Sequence, residues 1–159
     1  MILLRLAGAA LLALSGAVAA RVINSADMSS LRQTEGFISF IRICRVQIDC
    51  FSLPISEILQ GCGKSELFAC GYEKEGVPSD MSEFVCGCRV SDVDACELFF
   101  SFASEFGRGY RAEQLKACDY YISMLEERRK KLSAILPLKR KRNATLCICA
   151  SLALAILLM

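Results

Sequence analysis

Residues 111–136 read RAEQLKACDYYISMLEERRKKLSAIL, the longest stretch of helical periodicity in the sequence. Its apolar side chains recur at spacings of three and four residues, which is the spacing of one face of an α-helix. They are Leu115, Cys118, Ile122, Leu125, Leu132 and Leu136, and Arg129 is the one charged break in this heptad seam. We interpret the segment as a long helix packed within its own domain; an intermolecular coiled coil is the alternative.

The same periodicity extends upstream of this helix, and no convincing alternating strand pattern occurs. The first body helix is predicted over Ser29 to Cys50, and its apolar stripe comprises Phe37, Ile41, Cys44 and Ile48. Shorter helices are predicted over Pro54 to Gln60, Lys64 to Glu75, Ser79 or Asp80 to Val85, and Ser91 or Asp92 to Phe106. In the last of these we expect five inward side chains: Val93, Cys96, Phe99, Phe100 and Ala103. The predicted fold class is therefore all-α, an antiparallel helical bundle, with a kink at Pro137.

An apolar segment lies at each end of the chain. Residues 144–159 carry no charge, and as a helix they would span about 24 Å, slightly less than the hydrocarbon core of a bilayer. We predict an N-terminal transmembrane segment over residues 1–23, a helical bundle over 24–142 and a C-terminal transmembrane helix over 143–159. The first segment also resembles a secretory signal with Ala17-Val18-Ala19 as its cleavage site, so export of the body is the alternative.

Charge is strongly segregated along the chain. All 17 acidic residues lie between Asp27 and Glu127, and residues 22–127 contain nine basic residues, so this body has a net charge of −8. Eight basic residues then precede the last apolar segment: Arg128, Arg129, Lys130, Lys131, Lys139, Arg140, Lys141 and Arg142. Basic flanks of membrane helices stay in the cytoplasm, so this membrane-proximal basic stem predicts a two-pass protein with a cytoplasmic body. Its position favours anionic lipid over nucleic acid as the partner.

The cysteines and the absence of histidine limit the chemistry that we expect. Ten cysteines would suit either disulfides in an exported domain or reduced core thiols in a cytoplasmic one, and we favour the second. A zinc site is not expected, since Cys86-Gly-Cys88 has the wrong spacing and the chain has no His. Gly61-Cys62-Gly63-Lys64-Ser65 lacks the first glycine of a phosphate-binding loop. We therefore expect a non-enzymatic protein with no catalytic, cofactor or metal site.

The order of these features resembles the stage III sporulation protein AB family of endospore-forming bacteria, which is similar to the domain of the type II secretion protein F. The resemblance covers nearly the whole chain. Its carriers are Leu31 to Glu35, the turn Leu53 to Leu59, and a phenylalanine-glycine stretch with a following glutamine: Phe99, Phe100, Phe106, Gly107, Arg108 and Gln114. The chain departs from the family at 107–111, where Gly-Arg-Gly-Tyr-Arg replaces a Leu-Gly-x-Ser/Thr-Asp turn.

The resemblance implies a platform component of a secretion-like channel complex in the mother-cell membrane around the forespore. Its expected partners are the cytoplasmic ATPase stage III sporulation protein AA, other channel components, and further copies of the chain. Glu126 and Glu127, beside the basic stem, are the candidate contact with a partner, although a solvated helix face is the alternative. The competing function is an exported, disulfide-rich interaction domain tethered by its C-terminal helix.

Overall fold

The structure is a computed structural model that describes residues 2–51 and 53–157, and within these ranges it contains six α-helices and no named strand. The helices are α1 (Ile2–Phe51), α2 (Ile55–Gly61), α3 (Lys64–Ala69), α4 (Met81–Gly87), α5 (Val93–Glu105) and α6 (Arg111–Leu157). The all-α prediction is confirmed. Met1, residue 52 and residues 158–159, which belong partly to the predicted membrane segments, lie outside the described residues.

The chain divides into two compact units. Ser29–Leu132 forms one, called here the bundle unit, and Met1–Met28 with Ser133–Met159 forms the other, called the terminal unit. In the terminal unit, Gly16 lies against α6 so closely that an added Cβ would meet the Ser151 hydroxyl at 2.0 Å, and Lys139 Nζ lies 3.6 Å from Asp27 Oδ1. Among the described residues, we find no helix with the length and apolar character needed to cross a membrane.

The two long helices extend further than the sequence predicted. α1 covers the predicted helix over Ser29 to Cys50 and continues to Ile2 without a break. α6 continues through Pro137 to Leu157, so the helix predicted over residues 111–136 is part of a longer one. A proline removes one backbone donor at a cost of about 3 kcal/mol, and long helical segments on both sides can offset this cost.

One short helix, α4, begins with a side-chain cap. Asp80 precedes α4 and accepts a hydrogen bond from the Glu83 backbone N–H at 2.7 Å, while Glu83 Oε2 accepts from the Ser79 backbone and hydroxyl at 2.8 Å. This is a reciprocal cap of the kind that fixes a helix start, and it agrees with the prediction that Ser79 or Asp80 begins this helix. α2 and α5 likewise match their predicted bounds to within a residue or two.

The third predicted helix, Lys64 to Glu75, is too long. α3 ends at Ala69, because Gly71 adopts a left-handed conformation with φ of +87° and Tyr72 then pairs in an isolated antiparallel bridge with Cys88. The bridge is held by hydrogen bonds from Arg89 N to Gly71 O at 2.8 Å and from Glu73 N to Gly87 O at 3.1 Å. These bonds join residues that are distant in sequence, so helical periodicity alone could not indicate them.

Aromatic rings fill the core of the bundle unit. Phe37 of α1 stacks on Phe99 of α5 with ring centroids 4.1 Å apart, and Phe40 and Phe84 pack around Phe99. All four side chains are fully buried. The predicted α1 stripe faces the core, since Ile41, Cys44 and Ile48 are buried as well. The prediction that Val93 points inward is wrong, since Val93 is 60% exposed in the first turn of α5.

Candidate interaction surface

Arg128, the first residue of the basic stem, makes an ion pair within the bundle unit. Its guanidinium binds both carboxylate oxygens of Asp92, with Nε–Oδ2 at 2.8 Å and Nη2–Oδ1 at 2.6 Å, and its Nη1 lies 2.6 Å from Asp94 Oδ2. Asp92 is buried and immediately precedes α5, yet it makes no side-chain cap. The carboxylate pairs with Arg128 instead, and this pairing joins the start of α5 to α6. The Asp92 hydrogen bond raises the pKa of Arg128, so the guanidinium stays charged.

The remaining stem residues divide between the two units. Arg129, Lys130 and Lys131 belong to the bundle unit, and Lys131 pairs with Glu127 one turn earlier at 2.7 Å. The second cluster belongs to the terminal unit, where the side chains of residues 140–142 are exposed. Pairs between exposed side chains contribute at most about 1 kcal/mol. The exposed side chains of residues 140–142 are therefore accessible to anionic groups.

Both proposed partner-contact carboxylates already have partners in the chain. Glu126 pairs with Arg42 of α1 at 2.5 Å, and Glu127 pairs with Lys131. The Arg42 and Glu127 side chains are well exposed and Glu126 is half-buried. Exposed pairs open at little cost, but a partner that binds these carboxylates must compete with the internal pairing.

Glu126 belongs to a series of ion pairs that fixes α1 antiparallel to α6. After Arg42–Glu126 come Arg45–Asp119 at 2.6 Å and Asp49–Arg111 at 2.6 Å, so the numbering rises along α1 as it falls along α6. The end of α1 therefore meets the start of α6 at one end of the bundle unit. At the opposite end, Ser29 and Ser30 are hydrogen-bonded to Ser91.

The end where α1 meets α6 exposes two aromatic rings. Phe51, at the end of α1, is 65% exposed, and Tyr110, directly before α6, is 85% exposed. We call Phe51 together with the turn at residues 107–110 the bundle tip. A groove of about 310 Å³ lies beside it, and its lining includes Glu105, Arg108 and Glu113.

The bundle tip as a surface was not predicted from the sequence, although one feature of the sequence pointed to it. The turn at 107–111 is the place where the chain departs from the pattern of the family that it resembles. A glycine-rich turn that ends in tyrosine places an aromatic ring outside both neighbouring helices. The exposure of Phe51 could not be inferred, because it depends on how α1 ends against the start of α6.

Comparison with protein-family models, curated proteins and solved structures found no match to this chain.

The body cysteines are mainly buried in the bundle unit. Burial raises the pKa of the Cys44 and Cys70 thiols well above the ordinary value, that of Cys118 to about 11 and that of Cys88 to about 12. Such thiols stay protonated at neutral pH and react slowly. All ten cysteines are free in the structure, and Cys50 and Cys86 have exposed side chains. In the part of the chain that the structure describes, no group of three or more residues is arranged to hold a metal ion.

A second groove, of about 680 Å³, lies between α3 and the segment that follows it. Its lining includes Lys64 and Ser65, the end of the glycine-rich sequence that resembles a phosphate-binding loop, and Phe68. The loop follows helix α2 rather than a strand, so it lacks the strand–loop–helix setting of a phosphate-binding loop. Phe68 is 75% exposed and provides a useful reference for the aromatic residues of the bundle tip.

Proposed function

We propose that this chain is a non-enzymatic membrane platform component of a sporulation secretion-like channel complex. In this proposal its bundle unit is cytoplasmic and docks an ATPase of the stage III sporulation protein AA type. The terminal segments hold it in the mother-cell membrane around the forespore as a two-pass anchor. The observation that supports this role best is the charge segregation, with a body of net charge −8 followed by eight basic residues before the last apolar segment.

The helix arrangement is consistent with a platform role. α1 and α6 each contribute to both compact units, so the bundle unit is connected to the apolar ends by continuous helices. The series of ion pairs between α1 and α6 and the aromatic core give the bundle unit a defined surface. A rigid acidic domain can select a basic partner surface by electrostatic complementarity, which affects association rate and specificity.

The exposed part of the basic stem suits the cytoplasmic surface of a bilayer. Each lysine or arginine near an anionic leaflet contributes about 1 kcal/mol of attraction. Arg140, Lys141 and Arg142 are exposed, directly before the last apolar residues. Arg128, by contrast, pairs with Asp92 and Asp94 within the bundle unit.

The proposal predicts that membranes containing the full chain retain the companion ATPase. Vesicles reconstituted with the purified chain should sediment the AA-type ATPase at low salt, and retention should fall as ionic strength rises, since screening weakens charge complementarity. Vesicles of the same lipids without the chain are the control. Equal sedimentation with and without the chain would contradict the proposed docking.

A second candidate, the exported interaction domain, is favoured by one observation. Burial raises the pKa of the Cys44 thiol, and Cys62, Cys118 and Cys70 raise it further, so these core thiols interact with Cys44. In an exported protein such thiols could be oxidised to disulfides outside the cytoplasm. We favour the cytoplasmic role, because burial keeps these thiols protonated and export would require the basic stem to cross the membrane.

A further inference from the structure

The bundle tip exposes aromatic rings on an ordered backbone. The Tyr110 backbone N–H donates to Glu113 Oε2 at 3.0 Å, and the Tyr110 carbonyl accepts from Glu113 N at 2.9 Å and Gln114 N at 3.0 Å. Gln114 Nε2 donates to the Gly109 carbonyl at 2.7 Å, so the first turn of α6 holds both Gly109 and Tyr110. The Tyr110 backbone therefore loses little conformational freedom when a partner covers its ring.

The two rings lie at the same end of the bundle unit, because α6 begins against the end of α1. The Arg111 guanidinium donates to the carbonyl groups of Ile48 and Asp49 and pairs with the Asp49 carboxylate at 2.6 Å. Phe51 lies two residues beyond Asp49, and Tyr110 lies one residue before Arg111. The 107–110 turn also meets the start of α2, since an added Cβ at Gly107 would lie 2.3 Å from Ile55 Cδ1.

The charges around the rings are mainly negative. Glu57, Glu105 and Glu113 have exposed side chains in the elements that meet at the tip. Arg111 is paired with Asp49, and Lys116 is an exposed cation further along α6. Arg108 is the exposed cation of the turn itself. An aromatic surface with an acidic surround is complementary to an apolar pocket that is bordered by lysine or arginine.

We propose that the bundle tip docks a protein surface of this chemistry, an apolar pocket with a basic rim, through Phe51 and Tyr110. The inference rests on the proposed function, in which that surface belongs to the cytoplasmic ATPase. Tyrosine and other large aromatic side chains provide much of the binding free energy in protein interfaces, because they bury a large area with few rotatable bonds.

Two other occupants fit the charges of the bundle tip less well. An anionic lipid surface would be repelled by the three carboxylates, and two tips facing each other would bring like charges together. The basic stem of a second copy has a charge complementary to that of the bundle tip. It would, however, cover the rings with lysine and arginine side chains and not with an apolar pocket. The test below separates these cases.

The direct test places a photo-reactive benzoylphenylalanine at Tyr110, at Phe51 or at Phe68 of the full chain in vesicles with the AA-type ATPase. Phe68 is the matched control, an exposed aromatic residue of α3. We expect cross-links to the ATPase from the two tip positions and none from Phe68. Cross-links from the tip to a second copy or to lipid instead of the ATPase would overturn the proposal.

Affinity provides the second measurement. The F51A/Y110A variant should bind the ATPase at least about tenfold more weakly than the parent chain, as expected for aromatic anchors, and F68A should change affinity by less than about twofold. Unchanged thermal unfolding of F51A/Y110A would show that the loss is local. If the parent chain binds and F51A/Y110A binds equally well, the tip proposal fails alone. If the parent chain does not bind, the proposed docking of the ATPase fails as well.

Discussion

Replacing Gln33 by leucine should lower the free energy of unfolding of the bundle unit by about 3 kcal/mol or more. Gln33 is 3% exposed, and its amide is fully used. Nε2 donates to the Cys70 carbonyl at 2.9 Å and to the Arg89 carbonyl, while Oε1 accepts from the Ser91 backbone N–H at 2.9 Å. This one side chain connects α1 to the segments on either side of the Tyr72–Cys88 bridge.

The large effect follows from what leucine would leave behind. A buried backbone group that loses its hydrogen-bond partner costs about 1 to 3 kcal/mol. Gln33 is the partner of one buried group, the Cys70 carbonyl, and of two part-buried groups, the Arg89 carbonyl and the Ser91 N–H. Gly71 lies close to this amide, since an added Cβ there would lie 2.5 Å from Gln33 Nε2. The Q33E variant should also be destabilised, because a carboxylate retains the acceptor but loses both donated hydrogen bonds.

Urea unfolding of the full chain in detergent, followed by far-ultraviolet circular dichroism, measures this difference. Q60L is the matched control, since Gln60 is exposed near the end of α2 and its replacement should change stability by no more than about 0.5 kcal/mol. A Q33L variant as stable as Q60L would show that the hydrogen bonds of Gln33 to Cys70, Arg89 and Ser91 do not stabilise the bundle unit.

The R128L variant should lose about 2 to 3 kcal/mol of unfolding free energy, because it leaves the buried Asp92 carboxylate without its cation. The Asp92 side chain is 9% exposed and that of Arg128 is 26% exposed, so some water reaches the pair and the cost falls below that of a fully buried one. Asp94 is exposed and should contribute little.

Two variants distinguish the effect of losing the Arg128–Asp92 ion pair from the effect of losing one positive charge. R129L removes the same charge from the neighbouring position and should cost less than about 1 kcal/mol. In D92N/R128L the stranded charge is absent, so this double variant should be more stable than R128L. Chemical denaturation under the conditions used for Q33L provides the comparison. Equal stability of R128L and R129L would contradict the structural role of Arg128.

Features with a local cause could be predicted from the sequence. The Phe37–Ile48 stripe of α1 and the seam of α6 follow from apolar side chains at helical spacing, and the start of α4 follows from the capping chemistry of Asp80. The all-α fold class depends only on such patterns, so it was correct without any knowledge of contacts.

Features that depend on residues far apart in sequence could not be predicted. α3 ends before its predicted limit, because Tyr72 forms a bridge with Cys88 beyond α4. Val93 is exposed at the first residue of α5, although its position fits the apolar face of that helix. Arg128 was grouped with the membrane-proximal cations since its neighbours are basic. Its true partner, Asp92, lies 36 positions away, and this separation hides the pair from any local pattern.

The orientation of the body in the membrane tests the central claim most directly. Gly76 is a suitable insertion site for a reporter, since it is exposed, has φ of +102° and has no atom near the position of an added Cβ. A green fluorescent protein inserted after Gly76 of the full chain should fluoresce, because it folds inside the cell. An alkaline phosphatase at the same site should be inactive, because it fails to form its disulfides there. An active phosphatase with a dark fluorescent fusion would place the bundle outside and contradict the platform account.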